Sequence, residues 1–300
     1  MQKTHNPYLL LVLTSLFWGG NAVAGKLAVG HVSPFTVTFG RWVVVVAILL
    51  PFAIPYIRRD WKQIRENWLY LFLLGSCGFT IFNNLMYLSL TYTTAINVAI
   101  EQAAMPLIVF ALNYLLYRTA ITWLQIAGYI LTLAGVIITA THGNWNIESI
   151  EALNRGDLIM ISAIMVYGAY SVFLKNKPDI HVISLMTVLA ISALIVATGF
   201  FIWEANTDRF IKPDLQGWGV IFYAAVFPSI LGQIFWVKGL EAIGSNRGGL
   251  FINLVPIFGA LLAILILGEQ FRLYHAAGLA FVLTGIWIAQ HTRGKKKGSS

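Results

Sequence analysis

Apolar residues in this chain come in long runs broken by short polar stretches. Ten runs approach membrane length, over 8–28, 35–56, 68–89, 95–116, 121–141, 157–175, 181–203, 217–238, 247–267 and 274–291. A hydrocarbon core about 30 Å thick needs about 20 helical residues to cross it, so each run predicts one spanning helix. The pattern therefore predicts an all-α integral membrane protein of ten transmembrane helices joined by short loops. The first run is too long for the apolar region of a secretory signal and has no clear cleavage site, so it reads as the first span.

The chain also repeats itself. Displaced by 150 positions, Trp68 meets Trp218, Pro106 meets Pro256, Ala127-Gly128 meets Ala277-Gly278 and Gly135 meets Gly285, without a gap from about 67 to 142. Displaced by 149, Trp18-Gly19 meets Tyr167-Gly168 and Lys26 meets Lys175. The predicted units are 6–143 and 154–293, followed by a basic tail at 294–300. Each unit holds five spans. Five is odd, so the second unit enters the membrane from the opposite face, and the repeats are inverted. Inverted repeats are a transporter architecture with the substrate site near the midplane between the halves.

Composition sharpens this reading. The chain is 58% hydrophobic and 11% charged, against about 25% charged in a soluble domain. The net charge of +8 does not point to nucleic acid, because the basic residues sit in short loops and the tail rather than along one face. Lys3, the Arg58–Arg65 cluster, Arg118, Lys175, Lys177, Lys238, Arg247 and the tail fall on one side. The other side holds Lys26, Arg155, Arg209, Lys212 and Arg272. This bias predicts that both termini are cytoplasmic. Arg58–Arg65 reads as an interfacial segment meeting anionic headgroups. The single cysteine, Cys77, excludes an intramolecular disulfide and reads as a packing residue.

Polar residues inside the spans are the candidates for chemistry. Glu101 sits in span 4, about six residues deep, at the depth where Arg41 sits in span 2. A charge at the bilayer centre costs about 2.5–3.5 kcal/mol on insertion scales, so it must face a partner or a cavity. Two readings stay open: a buried Arg41–Glu101 ion pair, or a site for a substrate amine or a coupling proton. Asn97 lies one turn before Glu101, with Gln102 beside it. Pro106 and Pro256 each free a backbone carbonyl, and interrupted helices at matching positions in two halves point to a transport site. Trp18 and Asn21 in span 1 align with Tyr167 and Tyr170 in span 6. Asn83 aligns with Gln233, Tyr87 lies one turn beyond Asn83, and Asn253 precedes Pro256. These residues form the candidate substrate-binding set, with helix–helix contact as the alternative role for each. Gly128, Gly135, Gly278 and Gly285 recur on one face and read as close-packing positions.

Gly20–Lys26 matches seven positions of a phosphate-binding loop, but Leu27 stands where Ser or Thr would hold magnesium and no strand precedes it. No zinc motif, nucleophile elbow or paired carboxylates suggest catalysis, so no catalytic residue, metal or cofactor is assigned. The alternatives to a transporter are a membrane enzyme or a receptor or channel without transport activity.

LFWGGNAVAGK (16–26) with its echo MVYGAYSVFLK (165–175), Arg41-Trp42, YLSLTYTTAINVAIEQAAMP (87–106), VKGLEAIGSNRGGLFINLVP (237–256) and LGEQFRLYHAAGLAFVLTGIWI (267–288) together resemble the drug/metabolite transporter superfamily, of the EamA type. The resemblance covers nearly the whole chain. It implies a secondary transporter in the cell's inner membrane that moves amino acids or related small amphipathic metabolites, most often by export. The partners implied are the solute and the lipid bilayer, and the second reading of Glu101 adds the proton as a coupling ion. Arg118-Thr119 stands in the first half where Gly268-Glu269 stands in the second.

Overall fold

A computed structural model of the chain describes residues 6–118, 122–144 and 154–291, so the basic tail falls outside the described residues. Among the described residues ten long helices follow one another: α1 Pro7–Ala28, α2 Pro34–Glu66, α3 Trp68–Ser89, α4 Ala95–Tyr117, α5 Trp123–Ala140, α6 Arg155–Asn176, α7 Val182–Ala205, α8 Leu215–Ile243, α9 Gly249–Leu267 and α10 Leu273–His291, with one short turn of helix, Ser245–Gly248, between α8 and α9. Their apolar length makes this a multi-pass membrane protein. Phe52 and Leu265, each 70% exposed, belong to the lipid-facing surface. Trp123, Trp203 and Trp218 project at helix ends, where indole rings suit the membrane interface. The face where the described chain starts and ends is called here the near face, and the opposite one the far face.

Local chemistry sets the helix ends. Asn6 accepts from the Tyr8 amide ahead of α1, with Pro7 at a position where its missing N–H costs nothing. Thr122 and Gln125 cap each other's amides at the start of α5. At the end of α4, Arg118 takes φ 49°, and its repeat mate Gly268 takes φ 67° at the end of α9. Glycine reaches that region freely, whereas Arg118 pays about 1–2 kcal/mol for it.

Four helices are irregular, in two repeat-related pairs. A π-helical turn covers Ser76–Ile81 in α3, and a second covers Ala225–Leu231 in α8. The α-helical ladder of α4 stops at Gln102 and resumes at Met105, one residue before Pro106. In α9 a 3₁₀ turn over Gly249–Asn253 gives way to α-helix at Leu254, two residues before Pro256. The basic segment 58–65 is not a separate interfacial piece, because α2 runs unbroken through Pro51 and Pro55 to Glu66. The extension has a partner: Asp60 accepts from the His181 amide (2.9 Å) and the Ser184 hydroxyl (2.7 Å) at the start of α7.

Packing obeys the pseudo-two-fold. Helix α1 lies against α8 and α9, as α6 lies against α3 and α4; α2 pairs with α7, and α5 with α10. The α2–α7 pair is clamped at both ends. Opposite the Asp60 clamp, Glu204 at the end of α7 accepts from the Phe35 amide (3.0 Å), the Thr36 amide (2.8 Å) and the Thr36 hydroxyl (2.8 Å). A carboxylate at a helix N-terminus meets both orphan N–H groups and the positive end of the dipole. The α5–α10 crossing is glycine on glycine. A Cβ on Gly128 would lie 2.5 Å from the Gly285 carbonyl oxygen, and one on Gly135 would lie 2.7 Å from that of Gly278.

Candidate solute-binding cavity

Residues of all ten helices, with Ile286 and Ala289 from α10, line a cavity of about 880 Å³. Trp18 and Asn21 reach it from α1, Arg41 from α2 and Asn83 from α3. Gln102 and Pro106 reach it from the break in α4, Tyr167 from α6, Gln233 from α8, and Asn253 and Pro256 from the break in α9. The irregular turns explain this convergence. An interrupted ladder turns polar side chains and free carbonyls toward the interior. The carbonyl of Pro228, in the α8 turn, is met by the Trp18 indole N–H at 3.1 Å.

Arg41 forms the floor. It is 6% exposed. Its Nε donates to the Ser229 hydroxyl (2.7 Å), and its Nη1 donates to Asn83 Oδ1 (2.7 Å) and Tyr87 Oη (2.9 Å). Tyr87 passes the chain on, donating to Asn21 Oδ1 at 3.0 Å. Its ring rests on Gly25, where a Cβ would come within 2.8 Å of it. All three acceptors of Arg41 are neutral, and among the described residues no carboxylate forms an ion pair with it. The guanidinium therefore keeps a net positive charge beside the cavity. Aromatic rings make the walls: Trp42 stacks on Phe79 (4.7 Å between centroids), Phe82 leans on Tyr167 (4.7 Å), and Phe110 stacks on Tyr129 (4.0 Å).

The cavity reaches the near face. Asn113 late in α4, Thr122 and Gln125 at the start of α5, and Lys175 at the end of α6 line that end. Lys175 donates to Asn113 Oδ1 at 2.7 Å. The far end is shut by hydrogen bonds. Lys26 donates to the carbonyls of Leu90 (2.9 Å) and Thr93 (2.7 Å). Glu269 accepts from the amides of Ala95 (2.8 Å) and Ile96 (3.0 Å) at the start of α4. Between the neighbouring loops His31 and Asp214 pair at 2.7 Å. The hydrogen bonds of Asp214 to His31 and to the Gly217 amide hold its carboxyl below the usual range.

Four of the residues read from the sequence lie elsewhere. Tyr87 sits behind the floor as described. Tyr170 is buried behind the wall, its ring closing on Gly78. Asn97 and Glu101 point into a separate polar cluster toward the far face. Asn97 Oδ1 meets His275 Nε2 at 3.1 Å. Glu101 is fully buried and neither of its oxygens has a hydrogen-bond partner. Of the two readings left open, the buried Arg41–Glu101 ion pair does not form. Equal depth from the same face does not imply facing sides, and Arg41 turns to Asn83 and Ser229 while Glu101 turns toward Asp157. Ser229, Asn113, Gln125 and Lys175 were not singled out as site residues from the sequence. The alignment of Lys26 with Lys175 carried a signal for the last.

Residues 5–141 and 154–289 each match the EamA-like transporter family. The chain belongs to that family. Three of its relatives cover nearly all of it. An uncharacterized transporter of Bacillus subtilis (strain 168), YyaM, is 27% identical over 96% of this chain and 94% of its own. An uncharacterized transporter of Archaeoglobus fulgidus is 26% identical over 95% of this chain and 96% of its own. A WAT1-related protein of Arabidopsis thaliana is 19% identical over 99% of this chain and 86% of its own. A solved crystal structure superposes with a TM-score of 0.64 at 17% identity, covering 97% of this chain and 99% of that one, which is a likeness of fold. The EamA-like chain is thus a membrane transporter of small solutes rather than an enzyme, built as two inverted five-helix repeats.

Proposed function

We propose that this EamA-like transporter moves a small amphipathic solute bearing a carboxylate, such as an amino acid, by alternating access, loading it from the near face. Arg41 carries the proposal: a buried cation held only by neutral acceptors, in the floor of an aromatic-walled cavity. A guanidinium recognises a carboxylate through fixed paired N–H groups, and desolvation by the surrounding rings strengthens that contact. Lys175 at the mouth adds a second positive charge. No carboxylate lines the cavity among the described residues, so a solute with only an ammonium group finds no counter-charge there. The basic bias of the loops supports a cytoplasmic near face, and loading there is export.

The inverted repeat supports the mechanism. Lys26 ties the end of α1 to the α3–α4 corner on the closed face, while its repeat mate Lys175 lies at the open mouth on Asn113. Exchange of these two arrangements closes one face and opens the other.

The test uses purified protein in proteoliposomes loaded with a mixture of amino acids and related metabolites, with release followed by mass spectrometry. Selective release of an unmodified carboxylate-bearing solute, lost in Arg41→Gln, is the expected result. Chemically altered solute would indicate an enzyme. Conductance without solute preference would indicate a channel. Selective release of amines untouched by Arg41→Gln would overturn the assignment of Arg41.

A further inference from the structure

The polar cluster on the far side of α4 has fewer donors than acceptors. Asp157, at the start of α6, is fully buried. Its Oδ1 accepts from the Thr93 hydroxyl and from Asn97 Nδ2 (3.4 Å), while its Oδ2 has no hydrogen-bond partner. One helical turn beyond Asn97, Glu101 is fully buried with both oxygens unpartnered, and the ionisable group that bears on it is Asp157. Asn97 lies between them, its Oδ1 meeting His275 Nε2 at 3.1 Å and its Nδ2 lying 3.5 Å from His142 Nε2. Three buried carboxylate oxygens thus stand in one cluster without a donor.

A charged carboxylate left unpaired in a dry interior costs several kcal/mol, and a neutral carboxylic acid avoids that cost. We propose that Glu101 and Asp157 form a proton-binding site, separate from the solute cavity and served from the far face, that must be loaded for the near-face-open conformation to persist. The elements packed on α4 carry few groups that could serve Glu101 as a counter-ion. Helix α6 presents Asp157 and the end of α5 presents His142. Helix α10 brings Tyr274, His275 and Arg272 at its start. Helix α1 brings Lys26, which is spent on the Leu90 and Thr93 carbonyls. Helix α9 has no ionisable side chain, and Glu269 just past its end is turned to the Ala95 and Ile96 amides. None of these cations hydrogen-bonds to Glu101, so the group that neutralises it is a proton.

The site is not a path through the membrane. Glu101 does not line the cavity, although Gln102 does. It sits behind the closed far end. Opening of the far face admits water to the cluster, the O–H bond of Glu101 breaks, and the proton passes to that water, leaving a solvated carboxylate. Closing the far face requires the proton back. Acid therefore favours the near-face-open form and alkali the far-face-open form, because only the former needs the proton bound. This inference rests on the alternating-access reading above for the second conformation, but its test needs no solute.

Two readouts on protein in lipid bilayers decide it. Infrared difference spectra taken across a pH titration report the carbonyl stretch of a buried protonated carboxyl. Spin labels at Leu273→Cys and Ile202→Cys, in a Cys77→Ser background, report the far-face distance between α10 and α7 by pulsed electron resonance; both label positions are exposed. The wild type should lose the protonated-carboxyl band as pH rises, and the label distance should lengthen over the same range. In Glu101→Gln the band should be gone and the short distance should persist at every pH. In Asp157→Asn both signals should shift their midpoint together, and this variant carries the assignment if Glu101→Gln does not fold. A wild type with no such band, a distance indifferent to pH, a Glu101→Gln variant that opens like the wild type, or a distance set by sodium rather than by pH would each overturn the proposal. Failure of solute release in proteoliposomes would leave these readouts untouched, so the two proposals fail separately.

Discussion

Replacing Gly135 with alanine tests the glycine-on-glycine crossing of α5 and α10. The added Cβ would lie 2.7 Å from the Gly278 carbonyl oxygen, 2.8 Å from Val282 Cγ2 and 2.9 Å from the Val282 amide nitrogen. Two of those three atoms belong to the facing backbone, so no side-chain rotation relieves the contact and the helices must part by several tenths of an ångström. Overpacking of this kind costs about 1–3 kcal/mol, against a gain of about 0.5–1 kcal/mol from removing a glycine inside a helix. The expected net loss is about 0–2.5 kcal/mol, centred a little above 1. Gly199 in α7 and Gly219 in α8 supply the control, because a Cβ at either meets nothing within 4 Å. Alanine there should leave stability unchanged or raise it by up to about 1 kcal/mol. The assay is thermal unfolding in detergent, followed by tryptophan fluorescence at matched protein and detergent concentrations. If Gly135→Ala melts at or above the temperature of Gly199→Ala, close backbone approach does not hold α5 to α10 and the packing argument fails.

On the proposed function, Arg41→Gln should weaken stabilisation by a carboxylate-bearing solute at least about 30-fold, the lower end of the 2–5 kcal/mol lost when one partner of a buried charge pair is removed, read from the solute concentration needed to raise the melting temperature. Glu204→Gln keeps one acceptor for the Phe35 and Thr36 donors and removes the charge, so it should cost about 1–2 kcal/mol in the same melting assay; no loss would demote the α2–α7 clamp. The carboxyl of Asp214 is held below its ordinary value, so the stability it contributes is present above the unfolded pKa, near 3.8, and is lost as pH falls through the lower folded value; hydrogen exchange of residues 31–33 and 211–214 should rise in that acid range and lose its pH dependence in Asp214→Asn. Lys26→Met removes two donors from the closed far face, so the distance between labels at Leu273→Cys and Ile202→Cys should lengthen without any change of pH.

The ten spans, the inverted repeat and the paired helix interruptions were legible because they rest on long apolar runs and on a gapless self-alignment that matches proline with proline. The glycine crossing was legible for the same reason. The cavity was partly legible: Trp18, Asn21, Asn83, Gln102, Tyr167, Gln233 and Asn253 are polar or aromatic residues that an apolar span does not need. The surroundings of Glu101 were not legible. Depth can be counted from a helix start, but the side a residue faces depends on the rotation of each helix, which the breaks in α4 and α9 change. Asp157 escaped notice because it stands at a span end, where a carboxylate is ordinary, and His275 because nothing local marks it. The α2 extension was missed because its residues are charged, and only Asp60 reaching the α7 N-terminus accounts for its continuing as helix.

The repeat duplicates the scaffold but not its charges. Glu101 aligns with Phe251, Asn97 with Arg247, Asp157 with Tyr8, and Glu269 with Thr119. A perfectly duplicated chain would have two resting states of equal energy, related by a two-fold axis in the membrane plane. The single-copy residues break that degeneracy, and all of them named here bear on the far face. On the alternating-access mechanism proposed above, the resting orientation is set outside the solute cavity, in residues that selection can change without touching what is carried. Transplanting the acidic set into the second repeat is the corresponding route to a variant that rests with the opposite face open.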